Sequence, residues 1–289
     1  MNSEHQFLCD IAEKVSMPVV YLAVRDLLNN FDTKIKDYVE LLQADSMLSI
    51  RIIRIANSEF FGCKRKAEDL YDAISLIGTI QLHDLLLTCL CMRTFSNIPA
   101  SILDSKDFWR HAMKCGIACR TLANLCRLPG ANRFFTLGLL LEIGHAAMFL
   151  KAPDMALDAL MDSQENHLPL AQSERVVFGF DYCQLGAELM QIWHMPEVYS
   201  HIIGHQLSPD TSEDTYRNDT YIVHLAQQLL SAPDNCALLL SRMKDSHPQF
   251  SSIPENFAEI VSEKIDAHID EVFLMLAPPH LLTGYSAHG

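Results

Sequence analysis

Glycine and cationic side chains are both scarce in this sequence, and each scarcity narrows what the chain can be. Its 11 glycines, spread over 289 residues, form no Gly-rich phosphate loop and no dinucleotide fingerprint, and no Ser-His-Asp set is visible. The 22 Lys and Arg stand against 36 Asp and Glu, a net charge of −14. Binding a phosphate backbone relies on Lys and Arg displacing counterions, so a nucleic-acid partner is not expected. No basic stretch leads into an apolar run near Met1, which argues against a secretion signal. The most apolar segment, residues 134–150, is interrupted by Glu142 and His145. It falls short of the ~20 apolar residues that a bilayer demands, so it reads as one buried helix with no membrane association. The 9 cysteines are odd in number and lack a secretory context. That suits reduced thiols in a cytoplasm, not a disulfide framework.

What is present is helix. Apolar residues recur at three- and four-residue spacing almost throughout, and no long alternating stretch suggests a strand. Pro18, Pro99, Pro129, Pro169 and Pro196 sit where helices would start or stop. The expected fold is all-α, with helices over residues 35–42, 46–57, 70–77, 80–95, 107–127, 134–150, 155–164, 169–178, 182–193, 196–205 and 214–230. Asp45 is placed to cap the second of these and Gly78 to separate the third and fourth. One more amphipathic helix is expected over residues 254–276. Its stripe of Phe257, Ile260, Val261, Ile265, Ile269, Val272 and Phe273 could pack on its own domain or on a second copy, as a homodimer.

A few side-chain groups could carry chemistry. His111, Cys115, Cys119 and Cys126 share one helix face. Ligands at successive turns of one straight helix cannot wrap a tetrahedral ion alone, and small thiols serve a core well. His201 and His205 stand four apart, a spacing that suits either a metal pair or a polar helix face. Glu142 lies within the apolar helix, where a carboxylate needs a partner; His111 or His145 would supply one. The only notable basic run, Lys64-Arg65-Lys66, lies beside Phe60 and Phe61 in the connection over residues 58–69. On an acidic chain this is a candidate surface for an acidic protein partner. Alternatively the two rings turn inward and the charges only solvate the loop.

The order of short motifs is more specific. Residues 48–62, from Leu48-Ser49-Ile50-Arg51 to Phe60-Phe61-Gly62, resemble the "LxxRILRLANSAFYG" signature of HDOD domains. Ala73-Ile74-Ser75-Leu76-Ile77-Gly78 is similar to the "AIxxLG" that comes after it. Phe108-Trp109-Arg110-His111 resembles "FWxHS", with Ala112 in place of Ser, and residues 138–144 lie on "GLLHDIG". Gly179-Phe180-Asp181-Tyr182, then Gly186-Ala187, Trp193, Met195-Pro196 and residues 202–205, then Tyr221-Ile222-Val223-His224-Leu225-Ala226, come in the family's order. The resemblance covers about residues 12–230.

The resemblance implies a multi-helix HDOD fold: an N-terminal five-helix lobe over residues 1–98, an HD-like helical bundle over 99–232, and a C-terminal extension over 233–289. HD phosphohydrolases hold metal through a His, a His-Asp pair and a distant Asp. By resemblance these positions fall on His111, Leu141, Glu142 and Gln227. Leu has no lone pair to give and a neutral amide is a poor ligand. The site therefore reads as vestigial, with no cofactor expected. The implied function is a non-catalytic signal-transduction or regulatory protein, cytoplasmic and bacterial, that binds a protein partner or a small signal. The alternative is a divergent metal-dependent phosphohydrolase using a divalent metal on His111, Glu142, His205 and His224.

Overall fold

The computed structural model describes residues 3–15, 17–62, 65–95 and 98–282, apart from the side chains of residues 3 and 4. The helices in the first third are α1 (Ser3–Glu13), α2 (Val19–Leu28), α3 (Ile35–Leu42), α4 (Ser46–Ala56), α5 (Leu70–Ile77) and α6 (Thr79–Thr94). Then come α7 (Ser105–Leu125), α8 (Ala131–Leu140), α9 (Ile143–Lys151), α10 (Pro153–Asn166), α11 (Leu170–Phe178), α12 (Tyr182–Ile192) and α13 (Glu197–His205). The series closes with α14 (Asp214–Ser231), α15 (Cys236–Ser246) and α16 (Phe257–Leu276). Among the described residues there is no strand, and the fold is all-α.

Two compact units interleave along the chain: Met17–Ser96 with Asp266–Gly289, and Met1–Ser16 with Asn97–Ile265. They differ from the contiguous segments 1–98, 99–232 and 233–289 at both ends of the chain. In the larger unit Trp193 donates its indole N–H to the carbonyl of Val15, at 3.0 Å, which ties the segment just after α1 to the end of α12.

In the smaller unit, side-chain caps set the helix starts. Asp45 accepts from the backbone N–H of Leu48 at 3.0 Å, and Asp69 from that of Asp72 at 2.8 Å. Gly78, at φ +86°, adopts backbone that a side chain would resist, and α5 and α6 meet there at 107°. From Leu82 to Met92 every residue of α6 is buried, so this helix is the centre of its unit.

In the larger unit α7 lies against α8, and Trp109, Phe134 and Phe135 are sealed in the core. The expected helix over 134–150 is two helices, broken at Leu141–Glu142. The break has a packing cause. At Gly144 any Cβ would run into the carbonyl oxygen of Tyr182, so α9 must meet the start of α12 backbone to backbone. The run Ala131–Lys151 has the length and apolarity to cross a membrane, but 83% of its most apolar window is buried inside the protein, as in a core helix.

The tail holds two α-helices where the sequence pattern predicts one, because α15 precedes α16. The α16 stripe packs on its own chain. Phe257, Val261, Ile265, Ile269, Val272 and Phe273 are buried there, and Ile260 is half-buried.

Trp109 is wholly buried, and truncating such a ring typically costs ~3–5 kcal/mol. Trp109→Ala should therefore lower unfolding free energy by about that much in a urea titration. An unchanged midpoint would show that the ring contributes no core packing.

Candidate functional site

His111, Leu141, Glu142 and Gln227, the positions singled out by resemblance, all lie in the larger unit. His111, on α7, and Glu142, at the break before α9, face each other with His111 Nε2 3.9 Å from Glu142 Oε1. Cys115 Sγ lies 3.6 Å from the same nitrogen. Burial, and next the Glu142 carboxylate, push the Cys115 thiol well up, so it stays protonated. Leu141 is fully buried and its side chain offers the site nothing polar. Its backbone carbonyl instead accepts from Gln206 Nε2 at 2.9 Å.

Gln206 is the centre of this arrangement. Its amide also donates to the carbonyl of Ile203 at 2.8 Å, and its Oε1 accepts from Gln227 Nε2 at 2.6 Å. Its backbone carbonyl accepts from His224 Nδ1 at 2.7 Å. Burial, the largest influence on His224, holds that imidazole's pKa down, which favours the neutral ring. The distant position 227 is thereby joined to the Leu141 backbone by amides alone. Gln206 has no signal in the sequence, because a neutral amide one residue past a helix carries no motif of its own.

A second charged pair lies close by. His145 Nε2 is 2.8 Å from Glu174 Oε1, and Glu174 Oε2 accepts the Tyr182 backbone N–H at 2.9 Å. The imidazole stacks on Tyr182 at 3.9 Å and on Phe149 at 5.7 Å between centroids. Burial pulls the His145 pKa down, but the contact and charge of Glu174, with Glu142 and Asp181 behind it, outweigh burial and raise it. Of the two partners expected for Glu142, His111 is the one that faces it; His145 is committed to Glu174. That buried Glu carried a legible signal, since it stands in line with the buried Ala171 and Phe178 on α11.

Among the described residues no group of three or more His, Cys, Asp or Glu side chains is placed to hold an ion. His205 donates through Nδ1 to the His201 carbonyl at 2.8 Å and stacks on the His201 ring at 4.3 Å. His201 Nε2 accepts from the Glu213 backbone N–H at 3.1 Å.

The loop candidates lie in the other unit. Phe60 is buried, edge-on to Phe61 at 4.9 Å and to His268 at 5.4 Å, so it faces the core and not a partner. Arg65 forks onto Asp72 at 2.9 and 3.0 Å. Asp72, followed by Glu68 and Asp69, raises the Arg65 pKa, so acidic neighbours compensate its charge. Lys66 is exposed, and Lys64 lies outside the described residues.

Because the folded protein favours the His145 imidazolium, its pairing with Glu174 adds stability that is complete below an unfolded pKa of about 6.5. That stability is lost as pH rises through the higher folded value. Glu174→Gln should therefore destabilise most at mildly acidic pH. Urea titrations of both proteins across the neutral range should show the gap narrowing as pH rises; a gap that widens with pH would refute the pairing.

The HDOD domain family model matches residues 15–209. A crystal structure of a candidate phosphohydrolase from Shewanella amazonensis is similar, with a TM-score of 0.73, 21% identity, and 94% of this chain and 98% of that chain covered. An HDOD domain protein of unknown function from Geobacter sulfurreducens is similar at TM-score 0.66 and 18% identity, covering 93% and 96%. A candidate signal transduction protein from Marinobacter aquaeolei has TM-score 0.71 and 18% identity, covering 95% of this chain and 66% of that one. Identities this low establish a shared fold and nothing more. An uncharacterised protein of Treponema pallidum is 23% identical over 203 residues, 68% of this chain, which spans only 38% of that relative's length. With the family model spanning most of the chain and these helical structures alongside it, the chain belongs to the HDOD family.

Proposed function

We propose that this HDOD chain is a non-catalytic module of a bacterial signalling pathway, acting by binding a protein partner or a small signal. The observation that carries this reading is the apolar and amide packing at positions that the resemblance aligns with metal ligands. Leu141 is fully buried where the resemblance would put a metal ligand, and Gln227 donates to Gln206 Oε1. A divalent metal needs several anionic or imidazole donors converging on one point; of the four positions singled out by resemblance, His111 and Glu142 offer such donors. The structural likeness to a candidate signal transduction protein accords with this reading.

The other reading is a divergent metal-dependent phosphohydrolase. The His111–Glu142 approach at 3.9 Å favours it, as does the likeness to a candidate phosphohydrolase. Elemental analysis separates the two. Protein purified without added metal should contain iron, manganese and zinc well below one ion per chain, and should not hydrolyse bis(p-nitrophenyl) phosphate faster than free metal does. Stoichiometric metal together with hydrolysis would establish the enzyme instead.

A further inference from the structure

The smaller unit holds a cavity of about 350 Å³, at the start of α4, the end of α6 and the turn after α16. Leu48 and Leu90, both buried, give it an apolar floor. Arg51 is fixed at its wall, because its guanidinium donates to the carbonyls of Leu276 at 3.2 Å and Ala277 at 3.0 Å. Arg93 also lines the cavity, and its 69% exposed side chain stands 3.6 Å from Asp45. The two form an ion pair, and Asp45 also caps α4 through the Leu48 N–H. Two guanidiniums therefore meet one carboxylate in the wall, on a chain whose net charge is −14.

The apolar surface continues beyond the cavity. Met47 is 55% exposed and Ile50 48% exposed. Residues 47, 50, 51 and 54 recur at helical spacing, so Met47 and Ile50 share the α4 face with Arg51 and the exposed Arg54. A small molecule confined to the cavity would leave Ile50 uncovered. A peptide laid along α4 would cover it and bring carboxylates to the arginines.

We propose that this cavity and the adjoining face of α4 dock an acidic segment of a protein partner, with one apolar side chain seated in the cavity. Opposite charge would steer the partner in, and the apolar anchor would hold it. The proposal rests on the reading of the chain as a binding module and names the chemistry of what it binds.

Selection of a random phage-displayed peptide library against the full-length protein tests this. Recovered peptides should carry net negative charge around a shared Leu, Met or Phe. The affinity of the best peptide, read by fluorescence anisotropy, should fall by about tenfold or more in both Arg93→Glu and Met47→Glu. A peptide with Lys in place of one Glu should regain affinity for Arg93→Glu. Both positions are exposed, so the melting temperatures should stay near wild type. The site is overturned if no peptide is enriched, if enriched peptides show no acidic bias, or if binding ignores both substitutions. Hydrolysis of bis(p-nitrophenyl) phosphate by metal-loaded protein would strike the non-catalytic reading alone, since it involves no residue of this cavity.

Discussion

The side-chain amide of Gln206 holds the break between α8 and α9. Where a helix stops, its last carbonyls lose their partners, and a buried polar group left unpaired costs ~1–3 kcal/mol. Leu141 is in that position, and Gln206 supplies the missing donor. The break in turn fixes the neighbours of the next four residues. Glu142 meets His111, and Gly144 brings α9 against the Tyr182 backbone. Within the first turn of the new helix, His145 reaches Glu174. A continuous helix through Leu141 would have given Glu142 and His145 different neighbours.

The same arrangement links the two ends of the site through neutral amides. Gln227 donates to Gln206 Oε1, and Gln206 spends its own donors on two backbone carbonyls. Neutral amides can be buried once hydrogen-bonded, without the cost of burying charge. A carboxylate at position 227 would instead face Gln206 Oε1, and two acceptors would repel unless a cation or proton lay between them. The two ends are mutually consistent: amide meets amide at 227, and an aliphatic side chain fills the core at 141. Glu142, beside them, stays partly exposed.

Much of the fold was legible because helical spacing and caps are local. α3 and α5 match their expected bounds, and Asp45 caps α4 as its position suggested. The break inside residues 134–150 was not legible, since its causes are the Tyr182 backbone and an amide more than sixty positions away. The helix α15 escapes sequence pattern because its apolar face is short, with only Cys236, Leu240 and Met243 buried. Motif order singled out His111, Leu141, Glu142 and Gln227, but no motif could show that Gln206 joins two of them. The ion pair of His145 needed the fold as well, because Glu174 lies 29 positions further along the chain.

Charge shows most clearly how runs in sequence differ from patches in space. Residues 64–66 form the densest basic run, yet Arg65 is held by Asp72, with Glu68 and Asp69 close enough to raise its pKa. Glu68 and Asp69 of the same loop and Asp72 of α5 thus offset the charge of Arg65. Arg51 and Arg93 are 42 positions apart and belong to no run, but α4 and α6 carry both to one cavity. The carboxylate that lines it, Asp45, pairs with Arg93 and caps α4. Long-range steering depends on the summed field at a surface, not on charge density along the chain. On an acidic chain, the cationic feature that matters is therefore the one that folding assembles from separated residues.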